Sequence, residues 1–286
     1  MESTAFAVDR GAFEIRGWST GAETAAPGVL CLHESATSAE VWLALAEALS
    51  PRARVTAYDR RGWGLSGAPD GYRRTTIEEQ ASDSEAVIES LDTAPVTLCG
   101  AGIGAVIALE LAVRRPGLVA AAVLIEPPLL ALVPEATPVI SADVEALRRT
   151  TLAASARLAE TAGPHEAGAQ GARAAAELYL AGGLEVLGAG AERIPDELAA
   201  EAATGPSALF AEPAAVSGWT VPLAELSLLG APAVVVTATS TPPFIRRAAE
   251  ALAARLRTGE RSELAAAGLP QLDAAGELAE LALELA

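Results

Sequence analysis

Val96-Thr-Leu-Cys-Gly-Ala-Gly-Ile-Gly-Ala-Val-Ile-Ala-Leu-Glu-Leu-Ala112 holds, in order, an apolar run, three alternating glycines and an Ala/Leu-rich stretch. An uninterrupted apolar run ahead of a turn signal reads as a strand buried on both faces. Gly100-Ala-Gly-Ile-Gly104 reads as a sharp turn, because glycine tolerates backbone angles closed to other residues. The segment behind it reads as a helix, which stops at Arg114-Arg115-Pro116, since proline disfavours the helical conformation before it.

The same grammar repeats outward. Gly28–Leu32, Arg54–Tyr58, Leu118–Ile125 and Ala233–Thr237 are further buried strands, and Arg261–Ala265 is a short last one. Helices are predicted over Ala39–Leu49 behind an N-cap at Ser38, from Thr75 or Thr76 to Leu91, from Pro242 to Leu256, and from Gln271 to Ala286. Thr75 and Glu78 have the capping-box spacing. Residues 4–19 read as a β-hairpin. Strands alternating with helices predict an α/β fold: a mostly parallel sheet with helices on both faces. From Leu129 to Leu229 the strand signals cease, and Ala/Glu-rich helical segments alternate with Gly- and Pro-containing breaks. We therefore expect a core of residues 1–128 and 230–286 with an inserted helical lid over 129–229. Ligands on such sheets bind at the carboxyl ends of the strands. Here those ends carry His33–Ser35, Asp59–Trp63, Gly100–Gly104, Glu126 and Thr237–Thr241.

Composition narrows the function. The chain of 286 residues is 51% apolar, enough for a sizeable core, but only 4% aromatic, so that core is built from Ala, Leu and Val. All 20 basic residues are arginine, which removes Schiff-base chemistry. A net charge of −17 argues against nucleic acid and anionic membranes, both of which require basic patches. No secretory leader pattern and no apolar run of about 18 residues is present, so a cytoplasmic location is expected. Cys31 and Cys99 each fall within a strand pattern and read as small core residues. With two histidines and two separated cysteines, no metal site and no cofactor is expected. Nothing in the sequence speaks to oligomeric state.

Four motifs in register resemble the α/β-hydrolase superfamily, in its epoxide hydrolase, esterase and haloperoxidase-like branch, over essentially the whole chain. Leu32-His33 followed by a helix with Trp42 is similar to the oxyanion-loop region. Tyr58-Asp-Arg-Arg-Gly-Trp-Gly-Leu-Ser66 is similar to the D-x-R-G-x-G-x-S loop. Gly100–Gly104 has the G-x-S-x-G spacing of the nucleophile elbow, and Leu269-Pro-Gln-Leu-Asp273 resembles the segment after the catalytic histidine. The resemblance implies an inserted lid and a Ser-Asp-His triad, yet all three triad positions read as vacant. Gly102 stands at the nucleophile, the acid loop reads Ala238-Thr-Ser240-Thr241, and Gly268 stands at the histidine. The family's His-Gly pair is His33-Glu34 here.

Covalent acyl transfer needs a nucleophile beside a base, and glycine supplies none. What the resemblance retains is an oxyanion site: the backbone N–H of Ile103, with a second donor from Ser35 or Glu34, at a helix N-terminus that favours negative charge. His33 and Glu126 are the candidate catalytic acid–base groups. The plainer alternatives are a loop anchor for His33 and an arginine-paired loop carboxylate for Glu126. Asp59 with Arg60 and Arg61 reads as a structural salt-bridge and turn element, Trp63 and Trp42 as pocket or loop packing, and Trp219, Tyr179 and Phe210 as lid core. His165 reads as exposed, and Arg246-Arg247 as a solvated helix face. The favoured expectation is a non-hydrolytic enzyme (a lyase, isomerase or cyclase) acting on a small, apolar, carbonyl-bearing molecule. The alternatives are a non-catalytic binder or scaffold, and a hydrolase, native or mutated, in which His33 or Glu126 activates water.

Overall fold

In the computed structural model the residues described are 2–22, 28–159, 163–182, 184–186, 190–202, 206–219 and 223–285. Eight strands form one sheet in the order β1-β2-β4-β3-β5-β6-β7-β8. They are β1 (Ser3–Asp9), β2 (Glu14–Gly21), β3 (Gly28–Leu32), β4 (Arg54–Tyr58), β5 (Val96–Ala101), β6 (Val119–Ile125), β7 (Ala233–Ala238) and β8 (Gly259–Leu264). β1 and β2 form the expected hairpin, and β2 runs antiparallel to β4; every other pairing is parallel.

The continuous apolar runs have a direct physical cause. Side chains alternate across a sheet, and both faces here are covered. Leu30, Leu32, Leu98, Leu124 and Val235 pack on one face with α2 (Ile77–Ser90), α3 (Ile103–Arg114) and α9 (Pro243–Ala253). Val29, Cys31, Cys99, Val123 and Val236 pack on the other with α1 (Leu43–Leu49) and α11 (Ala275–Leu285), which follows the short α10 (Pro270–Asp273).

Between β6 and β7 the described residues are helical or irregular: α4 (Thr137–Ala159), α5 (Pro164–Leu180), α6 (Asp196–Ala202), α7 (Pro206–Gly218) and α8 (Leu223–Ser227). Local boundaries differ from expectation: the closing helix expected over 271–286 is split at Ala274 into α10 and α11, and the helix expected to reach Leu256 ends at Ala253. The helix expected over 39–49 begins as a 3-10 turn at Ala39–Trp42. The capping box is Thr76 with Glu79, one residue later than expected, with both reciprocal hydrogen bonds made. The last strand starts two residues early, at Gly259. The side chains of His165 and Phe210 lie outside the described residues.

Candidate functional site

β5 passes into α3 through one residue. Gly102 has φ +54° and ψ −124°, a conformation that costs a residue with a Cβ atom on the order of 1–3 kcal/mol. Its N–H donates to the carbonyl of Ile125 at 2.9 Å, tying the turn to β6. Ile103 then opens α3, so its amide has no intrahelical acceptor and sits at the positive end of the helix. The turn is crowded from one side. A Cβ on Gly102 would lie 2.8 Å from Cβ of Glu34, closer than carbon atoms pack. Glutamate at 34 and glycine at 102 therefore fit each other sterically.

Glu34 follows β3 and reaches over this turn. Burial and the neighbouring charge of Glu126 push its carboxyl up to about 7, against the opposing pull of a hydrogen bond from Gln271 and the charges of Arg193 and Arg60. The Gln271 amide donates to Oε1 at 2.5 Å. Gln271 lies in α10, two residues after Leu269, and is fully buried.

Glu126 follows β6 directly, in a left-handed conformation with φ +48°. Arg193, from a 3-10 turn at Ala191–Arg193 between β6 and β7, donates to both its oxygens, at 2.5 and 3.1 Å. The Thr241 hydroxyl also donates to Glu126. Arg193 Nη1 further reaches the Gly268 carbonyl at 3.1 Å and Ser240 Oγ at 3.3 Å. Ser240 and Gly268 are thus brought together, as their sequence positions imply, around an arginine side chain. Glu126 takes the arginine-paired alternative.

A second arginine–carboxylate pair closes the opposite side. Glu212 of α7 is buried against Arg60 and accepts hydrogen bonds from the hydroxyl of Ser35 and from Trp63 Nε1, the latter at 2.8 Å. Arg60 also donates to Gln80 at 2.7 Å. Asp59 accepts the backbone N–H of Ala39 at 2.7 Å and of Leu65 at 2.8 Å, so it organises its loop as the expected turn element, while Arg60 and Arg61 form their ion pairs with Glu212 and Asp83 instead of with it.

These groups enclose a cavity of about 90 Å³ whose lining includes Glu34, Ser35, Gly102, Ile103, Glu126 and Arg193. Two expected residues are elsewhere. His33 is fully buried, with Nε2 accepting the Arg60 N–H at 2.9 Å and Nδ1 bonded to the Glu34 carbonyl at 2.7 Å. That pattern places its one proton on Nδ1, and burial together with the Arg60 charge lowers its pKa. His33 is therefore the loop anchor, and its catalytic assignment is corrected on geometry: neither ring nitrogen is free to exchange a proton with the cavity. Trp63 stands behind Glu212, edge-on to His33 at 6.3 Å, and is not part of the cavity lining.

Sequence reasoning missed Arg193, Glu212 and Gln271. Glu212 was legible: it is the single charged residue in Pro206–Gly218, and a lone charge in an apolar helix needs a buried partner. Arg193 is the only arginine between Arg173 and Arg246, a weaker signal.

Residues 29–281 match the sequence model of the Alpha/beta hydrolase family. A haloalkane dehalogenase of Bradyrhizobium diazoefficiens is 37% identical over 101 residues, covering 35% of this chain and 31% of that protein. In each curated relative that the chain matches, the aligned stretch spans less than half of the relative's length. Among solved structures, the haloalkane dehalogenase DbeA of Bradyrhizobium elkanii superposes with TM-score 0.71 at 21% identity, covering 99% of both chains. The enol-lactonase of Burkholderia xenovorans superposes with TM-score 0.68 at 22% identity, again over 99% of both. At these identities the structural likeness shows the fold alone. With the sheet order, the β5–turn–α3 unit and the match over 29–281 all in agreement, this chain belongs to the alpha/beta hydrolase family.

Proposed function

We propose that this protein is a member of its family that lacks the Ser-His-Asp triad and binds a small carbonyl compound, moving a proton in a lyase- or isomerase-type reaction without a covalent step. One observation carries the reading. The Glu34 carboxyl, beside Gly102 at the cavity floor, has a pKa near 7 and a fixed orientation from Gln271. A general acid–base group works best when its pKa lies near the operating pH. Neither Gly102 nor Gly268 offers a side chain to attack or relay protons, and Arg193 fills the space between Ser240 and Gly268.

The chemistry follows from the geometry. The substrate carbonyl oxygen accepts the Ile103 N–H, where the start of α3 stabilises negative charge that develops in the transition state. Ionised Glu34 removes a proton from the carbon next to that carbonyl, and the C–H electron pair moves onto the oxygen. The resulting acid returns the proton to another position, or assists departure of a leaving group. Glu126 and Arg193 set the charge beside Glu34.

The test is hydrogen–deuterium exchange. Simple ketones and esters incubated with the protein in D2O are expected to exchange their α-hydrogens, followed by NMR, at a rate that rises with pH through about 7 and is lost in Glu34→Gln. Absence of exchange across the panel, or full retention in Glu34→Gln, removes the reading. A second reading, a non-catalytic binder, is favoured by the two ion pairs that hold the insertion down over a cavity of about 90 Å³. It predicts ligand-induced thermal stabilisation with no exchange.

A further inference from the structure

The cavity over Gly102 is too small for a whole substrate: about 90 Å³, against roughly 300–1,000 Å³ for ordinary ligand sites. A second cavity, of about 550 Å³, lies against it. Pro128, Leu130 and Val216 line both, so the wall between them is one side chain thick. The larger cavity is apolar: Leu129, Ile140, Trp219 and Leu226 line it, with Arg255 as its one charged lining residue. The smaller cavity has polar groups without partners. Arg193 lines it, is 9% exposed and has a buried Nε–H that meets no acceptor. The Ile103 amide lacks an intrahelical acceptor.

We propose that the two cavities form one channel for a neutral, medium-chain 3-oxoacyl compound, such as a 3-oxo ester. Its two carbonyl oxygens accept from Ile103 N–H and Arg193 Nε–H, and its alkyl chain runs past Leu130 and Val216 into the apolar cavity. The proposal rests on the acid–base role of Glu34 given above. It specifies neutrality because both terminal nitrogens of Arg193 are committed to Glu126, which leaves no unpaired cation for an anionic head. It specifies two carbonyls because two separate donors await acceptors. The carbon between two carbonyls is also the most acidic C–H such a head can offer. Glu34 takes that proton, the electron pair passes to the oxygen at Ile103, and the enolate regains the proton from Glu34.

The test is calorimetric titration of methyl 3-oxoalkanoates with chains of roughly four to ten carbons. Affinity is expected to rise about three- to fourfold per methylene, the ordinary transfer value. Thr137→Trp and Ser217→Trp, exposed positions lining only the larger cavity, are expected to flatten that slope. The plain ester of equal length is expected to bind about tenfold more weakly, having lost one hydrogen bond from a charged donor. Affinity that is independent of chain length, or an unchanged slope in both variants, overturns the channel. Equal affinity for the plain ester overturns the two-oxygen head. The two readings fail separately. A chain-length slope without proton exchange removes the role of Glu34 and keeps the channel, whereas Glu34-dependent exchange without a slope does the reverse.

Discussion

Glu34 and Gly102 are best understood as one exchange of volume. At this turn the side chain that fills the space comes from the loop residue Glu34, and residue 102 has none. Gly102→Ser should therefore not fold freely around its new atoms. Its Cβ would meet that of Glu34 at 2.8 Å, and overpacking of this kind costs about 1–3 kcal/mol. Glu34→Gly should relieve that crowding, giving a favourable coupling of about 1 kcal/mol or more in a denaturation double-mutant cycle. Glu34 also makes a signed prediction about pH. Its folded pKa, near 7, lies above the ordinary value of 4.5, so the native state binds its proton more tightly than the unfolded chain. The stability this contributes is complete at acid pH and declines as pH rises from about 4.5 to 7, by about 3 kcal/mol in all. Urea denaturation of wild type and Glu34→Gln across that window should show this slope in the first and its loss in the second.

At the scale of elements, the helical segment between β6 and β7 is held against its neighbours by buried polar contacts. α7 brings Glu212 to Arg60, both about 1% exposed, and Trp219 Nε1 donates to Glu110 of α3 at 2.8 Å. The 3-10 turn brings Arg193 to Glu126. Removing one member of a buried pair strands the other charge, typically at about 3–5 kcal/mol. Glu212→Ala is therefore expected to lower unfolding free energy by about that amount, whereas Glu212→Gln, which keeps an acceptor for Arg60 and Trp63, should lose less. Equal losses in the two variants would show that the charge, and not the hydrogen-bond network, holds α7 in place.

At the scale of the molecule, the net charge of −17 leaves 37 acidic residues facing 20 arginines, so ion pairing alone cannot neutralise it. Unbalanced like charge destabilises the compact state by self-repulsion. Raising NaCl from about 0.02 to about 0.5 M, which shortens the screening length severalfold, should raise Tm by a few degrees in a calorimetric scan. A fall in Tm would mean that surface ion pairs outweigh the repulsion. No helix among the described residues is long and apolar enough to cross a membrane.

The sheet, its flanking helices and the turn at Gly102 were legible from sequence because each depends on local rules. Strands buried on both faces must be apolar throughout, and a one-residue link from strand to helix demands glycines. Glu34, Ser35, Gly102, Ile103 and Glu126 could likewise be assigned to one edge from strand ends alone. Which of them face the cavity was decided only by tertiary structure. His33 turns inward because the Arg60 amide, 27 residues later, takes its Nε2. Glu34 turns over Gly102 because that residue has no Cβ to exclude it. Arg193, Glu212 and Gln271 come from segments whose distance in sequence carries no information about contact. Their places are set by contacts that form only once the chain has folded, Arg193 with Glu126, Glu212 with Arg60 and Gln271 with Glu34, because a buried charge left without a partner is costly.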